Sequence, residues 1–329
     1  KYFDNFNPDL LDAREWAKKA KAAGFKYAVL TAKHHEGFAL WDTALSDYKI
    51  TNTAYGRDLV KEYAEAFRAE GLQVGLYFSL IDWNHPDFLV DGYHPERNNK
   101  EYIENHPGDM ESYTKFMHGQ VRELLTNYGK IDYLWFDFSY ANRDWGDSVG
   151  KGREDWKSED LEKMILSLQP DIILNDRLDL GRGVGTPEQY QRNARMESGK
   201  KQLVWEACQT LNGSWGYDRD NLDWKTPEMV TKLLIDTVSK VGNMLLNIGP
   251  NARGEWDAKT EEILNRVGEW MRLHGRAIYG CGASEYDVPA DARFTQNGNR
   301  LYLHLFSWPY RTLLIEKLGG KVAYAQLVH

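Results

Sequence analysis

The sequence predicts an α/β protein built as an eight-stranded (β/α)8-like barrel, and three observations support that fold class. An amphipathic helix followed by a short apolar strand recurs along most of the 329 residues. The strands are nearly continuous apolar runs, which is typical of parallel strands buried on both faces. No glycine-rich phosphate loop follows a strand, and this argues against the competing open, doubly wound sheet.

Five helix–strand units account for the pattern in chain order. In the first three, a glycine ends the helix, as helix C-termini often require; in the fourth a proline ends it, and in the fifth Gly242 is expected to do so. The predicted helices and their strands cover residues 10–24 and 25–35, 57–71 and 72–83, 110–129 and 130–139, 158–170 and 171–177, and 226–242 and 243–250.

The five units supply only five of the eight strands that a barrel needs, so the remaining strands are not assigned. An irregular strand is predicted at 201–208, and one open interpretation is that the first barrel strand precedes Lys1. We expect the catalytic barrel to span residues 1–278. Residues 279–329 alternate apolar and polar side chains and contain Asn-Gly and Gly-Gly turns, so they predict antiparallel strands that begin a small β-sandwich.

Composition excludes several functional classes. Hydrophobic residues make up 42% and charged residues 27%, and the net charge of −8 argues against nucleic acid as a partner. No apolar run approaches the roughly 20 residues of a membrane span, and the N-terminus lacks a signal-peptide pattern. Only Cys208 and Cys281 are present, which predicts neither a disulfide framework nor a zinc site. We therefore expect a soluble protein with the cytoplasm slightly favoured; a homo-oligomer stays open.

Polar side chains stand at the predicted strand ends, and in a barrel these ends meet at the rim that carries the active site. They are His34, His35, Tyr77, Ser79, Trp135, Asp137, Asn175, Asp176, Arg177, Trp205, Glu206 and Asn247. Asp137 ends the run YLWFD, where it is either a reactive carboxylate or the polar stop of a buried strand. The His34–His35 pair, followed by a loop that ends at Trp41, favours contacts with ligand hydroxyl groups over helix or strand capping.

Two further residues have both a structural and a functional interpretation. Arg177 pairs with Asp176 or Asp179, or it orients a carboxylate or a sugar. Glu188, in the loop RGVGTPEQYQ, is a helix N-terminal acid after a threonine cap, or a mobile acid catalyst.

The following segment, LVWEACQTLNGSWGY, offers a second pair of candidates. Glu206 at a strand end is a buried anchor or a pocket residue, and Trp215 is a core ring or a sugar-stacking wall. Two carboxylates, one on a strand and one on a loop, are what glycoside hydrolysis requires.

Several motifs resemble the α-L-fucosidases of glycoside hydrolase family 29. They are YAVLTAKHHEGFALWDT, GLYFSLIDW, IDYLWFDFSY, LQPDIILNDR, VWEACQTLNGSWGY and GNMLLNIGPNARGEW, in the family's order from about residue 5 to residue 280. The resemblance implies a retaining, exo-acting α-L-fucosidase with no metal or organic cofactor, acting on fucosylated oligosaccharides or glycoconjugates. The family's Phe-x-x-His-Trp-Gly motif of the first strand is not in this sequence.

Carried over residue by residue, the resemblance assigns roles to the candidates. It makes Asp137 the nucleophile and Glu188 the acid/base, and it places His34, His35, Tyr77, Trp135, Arg177 and Trp215 at the fucose pocket. From the residues alone, Glu206 is the rival acid/base carboxylate, and Trp41 and Glu206 are further candidates for sugar binding. Two other functions stay open: another retaining exo-glycosidase, acting on galactosides or xylosides, and a catalytically inactive fucose-binding relative.

Overall fold

A computed structural model describes residues 2–192, 197–198, 201–289 and 291–328 of the chain. By its internal contacts the chain divides into two compact units. The first consists of Lys1–Lys18 and Phe25–Gly183, and the second of Lys19–Gly24 and Val184–His329. Among the described residues, no helix has the length and the apolar character that a membrane span requires.

Helices and strands alternate along the described part of the chain, as the sequence predicts. The α-helices are α1 (Ala13–Ala22), α2 (Leu59–Ala69), α3 (Lys100–Asn105), α4 (Met110–Asn127), α5 (Arg153–Trp156), α6 (Ser158–Leu168), α7 (Pro227–Ser239) and α8 (Ala258–His274). The strands are β1 (Tyr27–Lys33), β2 (Gln73–Ser79), β3 (Tyr133–Asp137), β4 (Ile173–Leu174), β5 (Glu197–Ser198), β6 (Lys201–Gln202), β7 (Trp205–Thr210), β8 (Gly242–Asn247), β9 (Ala292–Asn297) and β10 (Arg300–Leu305). Short 3-10 helices occupy Ile50–Asn52, Asp176–Leu178 and Gly275–Ala277.

The first unit contains a parallel sheet in the order β1-β2-β3-β4. Its register places Tyr77 of β2 between Thr31 of β1 and Trp135 of β3. All five residues of β3 are buried, as expected of a parallel strand covered on both faces. The sheet therefore brings the carboxyl ends of its strands, with their polar residues, to one edge.

Local signals explain where the helices of this unit begin and end. Asp58 and Asp109 are N-caps whose carboxylates accept backbone N–H groups at the starts of α2 and α4. Gly71 and Gly129 follow the same two helices with φ of +77° and +73°, a backbone conformation that costs glycine little. Each helix thus stops a few residues before its strand, as the sequence predicts.

The second unit contains a parallel pair, β7 with β8, and an antiparallel hairpin, β9 with β10. The pairing runs from Trp205 opposite Gly242 to Thr210 opposite Asn247. Strands β5 and β6 form a short antiparallel pair. Parallel β7 and β8, separated by α7, are a further β-α-β unit of the predicted kind.

Gly242 is not the helix stop that the sequence predicts. Val241 takes the left-handed conformation, with φ of +62°, and Gly242 is the first residue of β8. A Cβ atom on Gly242 would lie 2.6 Å from Cε2 of the Trp205 ring. The glycine is therefore required by the close approach of two strands, which a local pattern does not reveal.

The C-terminal strands extend less far than the sequence predicts. The Asn-Gly turn at Gly298 joins β9 to β10, with φ of +56° at the glycine. Beyond β10, the described residues 306–328 contain neither helix nor strand, and Trp308 and Tyr310 are 80% and 89% exposed. The domain boundary after residue 278 stays a prediction.

Candidate active site

Four predicted site residues form a stack of side chains across the strand ends of the first unit. The His34 ring is parallel to the Tyr77 ring, with centroids 5.6 Å apart. Tyr77 stacks in turn on Trp135 at 5.4 Å, and the Arg177 guanidinium lies 5.1 Å from the Trp135 ring centroid. The stack follows the β1-β2-β3 register and forms one side of the site.

Asp137 ends β3 beside this stack, and its carboxylate has donors on both oxygens. The Tyr77 hydroxyl donates to Oδ2 at 2.7 Å, and Arg177 Nη1 lies 3.0 Å from Oδ1. The backbone N–H of Phe138 also donates to Oδ1, at 2.9 Å. The Arg177 ion pair with Asp176 is longer, 3.9 Å. These contacts orient the carboxylate and favour its charged form, and its catalytic role stays a prediction.

His35 is buried beneath the more exposed His34, and its hydrogen bonds assign its tautomer. The Ser79 hydroxyl donates to the carbonyl of Ile81 at 2.8 Å, so its oxygen accepts from Nδ1 of His35 at 2.7 Å. Burial, with a smaller contribution from His34, lowers the pKa of His35 to about 3. The imidazole is therefore neutral near pH 7, and its Nε2 carries a lone pair that can accept a hydrogen bond.

A buried lysine supports the loop that follows β2. Lys33, at the end of β1, is fully buried, and its Nζ lies 3.1 Å from Asp82 Oδ2 and 3.0 Å from Gln120 Oε1. Asp82 Oδ1 in turn accepts the N–H groups of Asn84 and His85. Burial lowers the pKa of Lys33, whereas Asp82 raises it. The lysine thus fixes the turn that follows the Tyr77 strand.

Glu188 lies in the second unit, on an extended segment and not at a helix N-terminus. Residues 185–189 run parallel to β7, with isolated bridges that pair Gly185 with Trp205 and Glu188 with Cys208. The N–H of Cys208 donates to the carbonyl of Pro187 at 3.0 Å. Glu188 itself is exposed. Its backbone is therefore hydrogen-bonded to a strand, which corrects the interpretation of a helix N-terminal acid; a mobile acid catalyst stays a prediction.

The two remaining candidates of the second unit have different surroundings. Glu206 is the second residue of β7 and 1% exposed, so it lies near the amino end of its strand rather than at the carboxyl end that the sequence predicts. The strand continues to Thr210, where the pairing with β8 ends. Trp215 lies in the following loop and is 44% exposed, with its carbonyl accepting from Asn247 Nδ2. An exposed ring is suited to stacking on a sugar.

Trp41 is separate from the stack that surrounds Asp137. Its side chain is fully buried, and its indole N–H donates to Glu123 Oε2 at 3.0 Å. Its ring faces Phe78 of β2, at 6.4 Å between centroids. This placement favours a packing role, and sugar contact by Trp41 stays a prediction.

Sequence reasoning missed Phe138 as a site residue. It has φ of +71°, unusual for a residue other than glycine, and its N–H donates to the Asp137 carboxylate. Its ring packs edge-on against His35 at 4.5 Å. Aromatic residues are typical of strands, so the sequence predicts that the strand continues through Phe138, and no local signal marks this conformation.

Comparison with known proteins identifies the family. The family model described as alpha-L-fucosidase matches residues 1–276. This chain belongs to the α-L-fucosidase family. Plasma alpha-L-fucosidase of Rattus norvegicus is 33% identical over 318 residues, which cover 92% of this chain and 65% of the relative. The chain therefore spans just under two thirds of that relative's length.

Solved α-L-fucosidase structures confirm the predicted fold class, a (β/α)8-like barrel followed by C-terminal β structure. Alpha-L-fucosidase isoenzyme 1 from Paenibacillus thiaminolyticus is 48% identical, with a TM-score of 0.91; the match covers 97% of this chain and 77% of that chain. A GH29 alpha-L-fucosidase from Bacteroides thetaiotaomicron, trapped as a covalent intermediate with 2-fluoro-fucosyl fluoride, is 30% identical, with a TM-score of 0.81; coverage is 94% of this chain and 71% of that one.

Among the described residues, no group of three or more His, Cys, Asp or Glu side chains is arranged to hold a metal ion. Cys208 and Cys281 are both free thiols, and Cys208 is buried.

Proposed function

We propose that this protein is a retaining, exo-acting α-L-fucosidase that hydrolyses terminal α-L-fucose from oligosaccharides or glycoconjugates. The observation that carries the proposal is the Asp137 carboxylate, oriented at a strand end by Tyr77, Arg177 and the Phe138 N–H. It occurs in a chain of the α-L-fucosidase family. The Bacteroides relative was trapped as a covalent intermediate. We infer that this protein also uses a double-displacement mechanism, in which the enzyme forms a covalent ester with the sugar.

In the first step, Asp137 attacks the anomeric carbon while Glu188 donates a proton to the departing glycosidic oxygen. The bond between that carbon and oxygen breaks, and an ester between fucose and Asp137 forms. In the second step, Glu188 takes a proton from water, the water oxygen attacks the same carbon, and the Asp137 carboxylate is released. Two inversions give net retention of configuration.

The remaining residues are assigned to sugar recognition. His35 accepts a hydrogen bond from a fucose hydroxyl through Nε2, because its Nδ1–H is used by Ser79. His34, Tyr77, Trp135 and Arg177 form the wall beside Asp137, and Glu206 is a further candidate for sugar binding. Trp215 faces the methyl group of fucose, a contact worth roughly 1 to 3 kcal/mol in discrimination.

Covalent trapping tests the proposal. With 2-fluoro-fucosyl fluoride, we expect one fucosyl adduct per chain, which peptide mass spectrometry locates on Asp137. Asp137→Ala should fold, form no adduct and lose more than about a thousandfold in turnover of an aryl α-L-fucoside. Asp132→Asn is the matched control, because Asp132 precedes the same strand, roughly 16 Å away, and binds Val74 N–H.

Two outcomes separate the open alternatives. Faster hydrolysis of an aryl galactoside or xyloside than of the aryl fucoside would assign another glycosidase specificity. Fucose binding by calorimetry without turnover or adduct would identify an inactive fucose-binding protein. A folded Asp137→Ala variant that keeps more than a few per cent of turnover would make Asp137 a structural strand end.

A further inference from the structure

The segment that carries Glu188 is attached to β7 by three backbone hydrogen bonds. The N–H of Glu206 donates to Gly185 at 2.8 Å, that of Cys208 to Pro187 at 3.0 Å, and that of Gln189 to Cys208 at 2.8 Å. The last of these bonds lies directly after Glu188. Gln189 is therefore the residue at which the strand-like pairing ends and the chain leaves β7.

Gln189 makes this exit in an unusual backbone conformation. Its φ is +58°, in the left-handed region that residues other than glycine, asparagine and aspartate adopt infrequently. Its side-chain amide stabilises this conformation through two hydrogen bonds to Thr210. Nε2 donates to Thr210 Oγ1 at 2.8 Å, and Oε1 accepts the Thr210 N–H at 3.3 Å.

Thr210 is a suitable anchor because it is fully buried at the carboxyl end of β7. Its hydroxyl oxygen also accepts the N–H of Gly213 at 2.7 Å, and its carbonyl accepts from Lys225 Nζ. Gly213 begins the turn that leads to Trp215. One threonine thus joins the exit of the Glu188 segment to the base of the loop that carries the exposed tryptophan.

We propose that Gln189 is a positioning residue: its amide bonds to Thr210 fix the backbone of Glu188 relative to β7, so that the acid/base carboxylate is held in place. The inference rests on the proposed function, in which Glu188 protonates the leaving group. Glu188 is exposed, and the backbone hydrogen bonds of Pro187 and Gln189 to Cys208 lie on either side of it. A displacement of a catalytic group by about 1 Å can lower the rate by up to roughly a hundredfold. The hydrogen bonds between Gln189 and Thr210 therefore matter for turnover if they hold Glu188 in place.

Gln189→Asn is the informative variant, since asparagine tolerates a positive φ but its shorter side chain cannot reach Thr210. We expect kcat for a fucosylated glycan, which has a poor leaving group, to fall by about tenfold or more. For an activated aryl fucoside, whose leaving group needs little protonation, kcat should fall by less than about threefold. The KM values for both substrates should change by less than about twofold.

Gln191→Asn is the matched control. Gln191 lies two residues further along, and its amide oxygen accepts from Thr237 Oγ1 at 3.1 Å, away from Thr210. The same shortening of the side chain at Gln191 should leave kcat and KM unchanged for both substrates. If Gln189→Asn does not fold, Thr210→Val removes the hydroxyl partner from the other side, and Thr210→Ser restores it and should restore glycan turnover.

A double-mutant cycle with Glu188→Ala decides whether Gln189 acts through Glu188. In that background, Gln189→Asn should lower glycan turnover no further. A further tenfold loss of glycan turnover when Gln189→Asn is added to Glu188→Ala would overturn the inference. So would an equal fall in kcat for both substrates in Gln189→Asn alone. Normal glycan turnover in Glu188→Ala would instead refute Glu188 as the acid, and with it the proposed mechanism. A loss in Glu188→Ala without any in Gln189→Asn would refute the positioning role alone.

Discussion

At the scale of single residues, the site is defined by how Asp137 is held. Its donors come from three places: Tyr77 on β2, Arg177 after β4 and the backbone N–H of Phe138. The carboxylate is mostly shielded, with 11% of its side chain exposed. Hydrogen bonds and ion pairs in such partly buried surroundings orient a group more strongly than in water, because the effective dielectric constant is lower.

Tyr77→Phe removes one hydrogen bond from Asp137 and keeps the ring in the stack. We expect turnover of an aryl fucoside to fall by about tenfold to a hundredfold, since a preorganised donor is lost. Tyr63→Phe is the control: its hydroxyl donates to the backbone carbonyls of Ala28 and Gly75 in the sheet. That variant should lower the melting temperature and leave kcat unchanged. Equal kinetic effects in the two variants would argue against a role for the Tyr77 hydroxyl.

Glu188 and Glu206 are distinguished by chemical rescue. Glu188→Ala should lose turnover most on substrates with poor leaving groups, and added azide should partly restore turnover of activated aryl fucosides, because azide attacks the fucosyl ester in place of water and gives α-fucosyl azide. Glu206→Ala removes a buried carboxylate from β7, so we expect reduced stability and no azide rescue. Rescue in Glu206→Ala alone would reverse the assignment, and rescue in neither would place the acid elsewhere.

At the scale of secondary-structure elements, one buried ionic cluster joins three of them. Lys33 ends β1, Asp82 lies in the loop after β2, and Gln120 belongs to α4. The Lys33 ammonium also lies 4.4 Å from the centre of the Phe78 ring. A fully buried lysine is costly unless it is paired, so the three elements are fixed relative to one another by the need to satisfy it.

Lys33→Met tests that coupling, because it keeps the apolar stem and leaves Asp82 buried without its cation. We expect a loss of about 3 to 5 kcal/mol in the free energy of unfolding, measured by urea denaturation. Lys115→Met, which removes an exposed partner of Glu111 on α4, should leave the urea midpoint unchanged. Similar midpoints for both variants would show that the buried pair is not a stabilising contact.

At the scale of the whole molecule, several buried or half-buried histidines link stability to pH. Burial lowers the pKa of His35 to about 3 and that of His304 to about 4, and it also lowers the pKa values of His85, His94 and His118. In the unfolded chain, a histidine titrates near 6.5. Between the unfolded and the folded value, the unfolded state binds the extra proton, and stability falls as the pH is lowered.

The unfolding midpoint in urea should therefore be highest above pH 6.5 and decrease toward pH 4. Each such histidine contributes up to about 1.4 kcal/mol per pH unit within its own interval. His304→Gln should make the decrease shallower between pH 6.5 and about 4, because His304 is lost from the sum. His304 hydrogen-bonds Thr295, which belongs to the C-terminal hairpin. An unchanged slope in this variant would contradict the assignment.

The sequence by itself determined the alternation of helices and strands and the polar strand ends, including Asp137, His34, His35 and Tyr77. These features depend on local signals: hydrophobic periodicity, N-caps such as Asp58, and glycines such as Gly71 after a helix. Because parallel strands share one edge, the strand ends also predicted which side chains come together in the first unit.

Only the tertiary structure decided the features that depend on neighbours distant in sequence. Trp41 is a core residue because Glu123 and Phe78 contact it, and Glu206 lies near the start of its strand because the pairing with β8 continues to Thr210. Glu188 is held on an extended segment because the backbone of β7 hydrogen-bonds to it, whereas the sequence around it resembles a helix start. Pairing partners and close approaches are set by the fold as a whole, so no local pattern in the sequence encodes them.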